Sequence, residues 1–257
     1  MILNNKNGLQ FFTFPKLNVF KNVRHGIFTR NNGFSIGDYH SLNVGLFVGD
    51  KRESVENNRQ IIARGIDAQK LVFSNQVHKI DILIFKKSDN HRSLKADGIP
   101  SSKDAMITDI PGKTLAIQLA DCQGILLVDP KNKVVANVHS GWRGSIKNIL
   151  GACVTSMQSE FGCRPENIYA GISPSLGPCC AEFIHYQQEI PKKYWRYKNT
   201  VDYFDFWKIS THQLHEAGVI PENIEISNIC TKCNSHLFFS FRQKNQTGRF
   251  VSVIGLK

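Results

Sequence analysis

No stretch of this 257-residue chain approaches the roughly 18 successive apolar residues that a membrane-crossing helix needs, and the opening MILNNKNGLQFFTFPKL has no basic segment leading into an apolar block. A cytoplasmic protein without a cleaved leader or a membrane partner is expected. Internal repeats and low-complexity linkers are also missing, and no Pro-, Gly- or Ser-rich boundary divides the chain, so a single domain over residues 1–257 is expected. Acidic side chains are scarce: 21 Asp and Glu face 32 Lys and Arg, a formal net charge of +11. That balance favours anionic partners such as phosphates. The basic residues are scattered rather than blocked, so general solubility accounts for the charge equally well. Seven cysteines, an odd number, cannot all pair within the chain. In a reducing compartment, free, metal-bound or catalytic thiols are favoured over a disulfide framework.

What is present alternates between strand and helix patterns. In VENNRQIIARGI, Val55, Arg59, Ile62 and Ile66 fall at helical spacing. KLVFSNQVH and IDILIFKK read as paired strands. TLAIQLADC followed by GILLVDPKNKVVANVH reads as a meander that turns at DPKNK. Ile146, Ile149, Leu150, Cys153, Val154, Met157 and Phe161 predict one helix over 146–161, stopped by Gly162. NIYAGIS, NIEISNIC and LFFSFRQ read as strands, and FDFWKISTHQLHEAGV as a helix. Hairpin-like neighbours mixed with helices predict an α/β domain with mixed sheets flanked by helices rather than a doubly wound parallel one.

Three residues stand at the ends of predicted strands, where sites tend to be built: His78, Cys122 and His139. Two imidazoles and a thiolate suit zinc, and three protein ligands leave a fourth position for water or substrate. Separate core packing of each is the competing reading, because their spacing is no short motif and nine histidines with seven cysteines offer many triplets. HSGWRGS leads from a strand into the predicted helix. There Gly141 and Gly144 would allow close backbone approach, and the helix start with Arg143 would suit an anion. Equally, the glycines only turn the chain, Trp142 packs and Arg143 is solvated. Gln76, two residues before His78, either contacts substrate or pairs with backbone. Asp121 points away from Cys122 in an extended segment, so it carries protons only if the chain bends at Gly124; otherwise it is a buried carboxylate fixing a turn. CTKCNSH offers Cys230, Cys233 and His236 as a second zinc set, whereas Cys179 and Cys180 read as buried thiols by default, with a vicinal disulfide, a rare arrangement, as the alternative. The aromatics of PKKYWRYKNT could stack on bases, yet a solvated surface segment explains them as well, and no stable nucleic-acid partner is expected.

The stretches HGIFTRNNGFS, HSLNVG, VGD, ENNRQ, NQVH, ADGIP, TDIPGKTLAIQLADCQGILLVDP, ANVHSGWRG, GISPSLGPCCAEF and CTKCNSHLFFSFRQKNQTGR follow one another along nearly the whole chain. Together they resemble the YfiH-type family of laccase-domain proteins, whose members are called polyphenol oxidases, purine nucleoside phosphorylases and peptidoglycan editing factors. The resemblance implies a single α/β domain like that of cytotoxic necrotising factor toxins. It implies zinc, or copper, on His78, Cys122 and His139 as catalytic ligands. The chemistry it implies is phosphorolysis of adenosine, inosine, guanosine and methylthioadenosine, with deamination of adenosine; Arg30 and Arg143 are then the candidates for binding phosphate. Asn32 and Ala181 stand where the family usually has glycine and tyrosine, and Ser140 where it has alanine; none of the three is a ligand. Two other implied activities compete. One is an amidase on a UDP-linked muramoyl amino acid, with either Cys122 as nucleophile or a metal-activated water. The other is copper-dependent phenol oxidation, for which nine histidines are few.

Overall fold

The computed structural model describes residues 1–88 and 102–257, and the ADGIP motif falls outside the described residues. Along the chain come β1 (Ile2–Lys6), β2 (Leu9–Thr13), α1 (Pro15–Asn18), β3 (Val23–Phe28), α2 (Arg52–Gly65), β4 (Leu71–Phe73), β5 (Ile82–Phe85), β6 (Ala105–Thr108), β7 (Thr114–Leu119), β8 (Gln123–Asp129), β9 (Val134–Ser140), α3 (Trp142–Ile146), α4 (Ile149–Phe161), β10 (Tyr169–Ile172), α5 (Tyr186–Glu189), α6 (Phe206–Glu216), β11 (Ile224–Ile226) and β12 (Phe250–Leu256). The strands form two mixed sheets, ordered β1-β2-β3-β12-β7-β4 and β11-β10-β8-β9-β6-β5. In the first, β4 runs parallel to β7 among antiparallel neighbours. In the second, β5 is parallel to β6 and β11 to β10.

Alternation along the central strands sorts their side chains to two faces. In β8, Leu126 and Val128 enter a core shared with Leu115, Ile117 and Leu119 of β7 and with Phe250 and Ile254 of β12, so this core lies between the sheets. Ile125 and Leu127 turn the other way, against Leu150, Cys153, Val154 and Met157 of α4 and Leu214 of α6. On the far side of the first sheet, Ala116, Val251 and Val253 pack on Ile62 and Ala63 of α2. The layers therefore run helix, sheet, sheet, helix, and β8, β9 and β12 are buried at every position. A buried amide, Asn137, lies in the inter-sheet layer. Asn137 of β9 donates to the carbonyls of Leu115 (3.2 Å) and Ser252 (2.9 Å) and accepts from the Ser252 hydroxyl (3.0 Å). It ties one sheet to the other, and left unpaired it would cost about 1–3 kcal/mol.

Helices α2, α4 and α6 lie where periodicity expects them, and the β8–β9 hairpin turns at DPKNK, where Asp129 Oδ1 accepts from the backbone of Lys131 and Asn132. Four expectations change. β4 and β5 are not partners: each lies in a different sheet. Nor do β7 and β8 form a meander, because the chain passes between sheets at residues 120–122, with Asp121 at φ +86°. The helix expected over 146–161 is broken at Asn148, which sits at φ +59° and caps α4 by accepting from Gly151 N (3.0 Å). LFFSFRQ is not a strand. Phe238 and Phe239 are neighbours and both fully buried, which the alternation of a half-buried strand forbids. No helix among the described residues is long and apolar enough to cross a membrane.

Candidate metal centre

His139 is the only one of the three expected ligands that lies within a strand. It shares the parity of Val135 and Asn137 in β9 and so faces the space between the sheets. Cys122 belongs to the β7–β8 crossover, and His78 lies in a turn beyond β4 at φ +59°; the expected strand-end placement of these two is corrected. Two passages between sheets thus deliver residues to the end of β9. The ligating atoms of His78, Cys122 and His139 all lie within 4.8 Å of one another. Cys122 Sγ is 3.7 Å from His78 Nε2, and the two imidazoles meet edge to face with centroids 4.8 Å apart.

Asp104, which sequence reasoning overlooked, organises the trio. It is fully buried at the entry to β6. Its Oδ1 accepts from His139 Nδ1 (2.8 Å) and His78 N (2.9 Å), and its Oδ2 from Lys79 N (2.8 Å) and Val77 N (3.2 Å). Three successive N–H groups wrapping one carboxylate form an anion nest, which the left-handed backbone at His78 permits. The available signal was a lone aspartate directly before the apolar AMIT: a carboxylate that enters a core must be paired.

The electrostatics follow from this geometry. Burial works to raise the Asp104 carboxyl, but the bonds from His139 and the nest hold it below its ordinary range. Burial disfavours charge on His139, yet the Cys122 thiolate and Asp104 lift it to about 9. Burial likewise pushes the Cys122 thiol up, but His139 and His78 bring it down to about 6. Because Nδ1 of His139 is committed to Asp104, Nε2 is turned toward Cys122, the orientation a metal-ligating histidine takes from an outer carboxylate. Gly141 completes the cradle. A Cβ there would lie 2.7 Å from His78 Cδ2 and 3.0 Å from Cys122 Sγ. Two imidazoles, a thiolate, an orienting carboxylate and a glycine that keeps the space open fit a divalent cation with three protein ligands.

The trio floors a pocket of about 580 Å³ whose walls include Phe47, Trp142, Phe183, Phe206 and Phe241. Arg143 also lines it, stacked 4.2 Å over the Trp142 ring and making no hydrogen bond or ion pair to the described residues. Its neighbours Arg242 and Arg249, overlooked in the sequence, spend donors on the carbonyls of Glu182, Thr247 and Gly248. The helix start expected to add an anion site belongs to the five-residue α3, not to the long helix, and only the Arg143 side chain is left of that expectation. Gln76 pairs with backbone: it donates to Gln118 O and accepts from Gln118 N, both at 2.8 Å. Asp121 accepts from the Thr231 hydroxyl and from Arg242 N, both at 2.6 Å, and so fixes the segment after β11 to the crossover. The bend falls at Asp121 itself, not at Gly124.

Arg30 is not brought to this pocket. Its guanidinium binds the carbonyls of His40 and Ser235, lies 4.2 Å over Phe239 and faces a separate hollow shared with Asp38 and Lys244. The aromatics of 191–200 pack inward, with Tyr194 in a core with Phe204 and Ile209, so they are not laid out for bases. Cys230 and Cys233 meet Cys179 and Cys180, and His236 is not in that group. Cys179 is exposed and Cys180 half-buried, against the expected buried pair.

A family model described as multi-copper polyphenol oxidoreductase laccase matches residues 24–257. The chain belongs to this laccase-like family. Among its relatives is the purine nucleoside phosphorylase YlmD of Geobacillus stearothermophilus, 35% identical over 247 residues, 90% of this chain and 89% of that protein. A protein of Bacteroides thetaiotaomicron, also named purine nucleoside phosphorylase, is 30% identical across 94% of both chains. The crystal structure of G. stearothermophilus YlmD superposes with a TM-score of 0.86 at 32% identity, covering 100% of this chain and 99% of that one. The YfiH structure from Bacillus licheniformis also gives 0.86, at 31% identity, covering 97% and 96%.

Proposed function

We propose that the chain is a metal-dependent purine nucleoside phosphorylase of the cytoplasm, acting as one domain on adenosine, inosine, guanosine and methylthioadenosine. His78, Cys122 and His139 hold the metal. The observation that carries this reading is the juxtaposition in one pocket of three converging donor atoms, five aromatic rings and a guanidinium with no hydrogen bond or ion pair among the described residues. Relatives named purine nucleoside phosphorylase support it. The donor set favours zinc over copper, because the histidine-rich sites of a multicopper oxidase have no counterpart among the described residues: only one ligand cluster contains histidine.

In phosphorolysis a phosphate oxygen bonds to ribose C1′ as the C1′–N9 bond breaks, and the purine leaves with the electron pair and takes up a proton. Aromatic walls suit a purine face. Arg143 offers paired N–H donors to the attacking phosphate and to charge developing on it. Asp104 keeps His139 oriented, and Gly141 keeps the floor clear. A bound zinc ion supplies Lewis acidity there. Deamination of adenosine is proposed as the second activity: a water oxygen bonds to purine C6 as the C6–N6 bond breaks, and the amino group takes up a proton and leaves as ammonia.

The test incubates metal-quantified protein with adenosine, with and without phosphate, and separates the products. Adenine and ribose 1-phosphate are expected only with phosphate, and inosine in either case. His78→Ala and Cys122→Ala should lose both. Formation of neither product by zinc-loaded protein overturns the reading. One observation favours a second: Cys122, His139 and Asp104 also stand as nucleophile, base and orienting carboxylate, which supports an amidase on a UDP-linked muramoyl amino acid. Loss of such amidase activity on metal removal would sink that version.

A further inference from the structure

β10 and β11 are parallel neighbours, so the chain leaves both at the same edge of the second sheet. The two loops that follow stay side by side: Ser175 N donates to Ile229 O (3.2 Å), and Thr231 N to Ser175 O (3.0 Å). Gly177 makes the close approach, since a Cβ there would meet Cys230 Cβ at 3.0 Å. One loop carries Cys179 and Cys180, the other Cys230 and Cys233, and the four sulfurs all lie within 4.8 Å of one another. Cys233 Sγ is 3.6 Å from both Cys179 Sγ and Cys180 Sγ.

These spacings discriminate. Zinc–thiolate bonds of about 2.3 Å in a tetrahedron put sulfurs about 3.8 Å apart, whereas a disulfide joins them at about 2.05 Å. All four cysteines are free, and sulfurs converging from two loops match the edges of a coordination tetrahedron. We propose that Cys179, Cys180, Cys230 and Cys233 bind a structural zinc ion as a tetrathiolate, a second metal site separate from the His78–Cys122–His139 centre. Binding replaces thiol protons, which pass to solvent, and no electrons move. Four protein ligands close the coordination shell, as in structural rather than catalytic zinc sites. Cys179 and Cys233 are exposed and give the ion its path of entry.

The site has a definite mechanical role. Residues 227–249, between β11 and β12, contain no helix or strand, yet they contribute Phe241, Arg242 and Arg249 to the pocket wall. The loop after β10 contributes Ser175 and Leu176. A tetrathiolate clip fastens these two wall segments to each other, beside the tie that Asp121 makes to Thr231 and Arg242.

The experiment uses the full chain carrying Cys122→Ser, which removes the thiolate of the other centre. The protein is purified with reductant, loaded with zinc, freed of excess metal and analysed for bound zinc. A parallel sample receives cobalt(II). One retained zinc per chain is expected, together with the strong sulfur-to-cobalt charge-transfer absorption and intense visible bands of a tetrathiolate. Adding Cys179→Ser and Cys233→Ser should abolish both. Absence of retained zinc and of those bands in folded Cys122→Ser protein overturns the proposal, as does a disulfide among the four cysteines in reduced protein. Should the triple variant fail to fold, the Cys122→Ser spectrum still decides. No readout depends on turnover, so failure of the nucleoside reading and failure of this site are distinguishable.

Discussion

Asp104→Asn removes one charge and one acceptor from a place where every surrounding group donates. Oδ1 receives His139 Nδ1 and His78 N, and Oδ2 receives Val77 N and Lys79 N. Whichever way the amide turns, its NH₂ confronts two N–H groups. At about 1–3 kcal/mol for each of the two donors left unsatisfied, the metal-free variant should lose about 2–6 kcal/mol of stability in urea denaturation. If the NH₂ faces His139, the imidazole must move its proton to Nε2, the atom that should ligate. Outer-shell changes of this kind lower metal affinity about 10–100-fold, equivalent to about 1.4–2.7 kcal/mol. Chelator competition measures that loss. A structural defect alone would not alter titration, so the pH midpoint of Cys122 alkylation in metal-free protein gives a third readout. It should rise from about 6 as His139 loses the partner that keeps it charged. Metal affinity within threefold of wild type, with stability within about 0.5 kcal/mol, would refute the positioning role.

Gly141→Ala should lower zinc affinity at least tenfold while the fold persists. The backbone there (φ −75°, ψ 170°) accepts any residue, so the loss reports only on the space beside His78 and Cys122; unchanged metal content would show that the side chains simply step aside. Arg143→Ala should raise the KM for phosphate, whereas Arg30→Ala should reduce stability by about 1–2 kcal/mol through its lost carbonyl bonds and ring contact without moving that KM. The reverse pattern would put phosphate at Arg30. In metal-free protein the thiolate–imidazolium pair sets a pH window. The contribution of Cys122 is complete above the ordinary thiol value and is lost as pH falls through about 6. That of His139 is complete below the ordinary imidazole value and is lost as pH rises through about 9. Stability of metal-free wild type relative to metal-free Cys122→Ala should therefore fall off on both sides of that window, and a flat difference from pH 5 to 10 would contradict the pairing.

Elements whose signal is local are legible in the amino-acid sequence. The apolar rows of α2, α4 and α6 and the hairpin turn after Asp129 follow from periodicity and turn chemistry over a dozen residues. His78, Cys122 and His139 were legible as candidates from residue type, and family motifs joined them into one set. Alternation states which side chains turn inward but not which strand lies alongside, so the pairings it suggests, β4 with β5 and β7 with β8, are not those of the fold. That the chain crosses between sheets beside both His78 and Cys122 is visible only in the folded molecule. Pairing of β6 with β9, Ala105 opposite Val138, brings Asp104 beside His139, while Arg30 follows β3 of the other sheet and lines a separate hollow. The four-thiol cluster is the clearest case: its halves lie about fifty residues apart in the chain and become neighbours only because β10 and β11 run parallel and side by side. Pairing between distant strands is settled by burial of both faces of both sheets at once, a property of the whole core that no single segment carries.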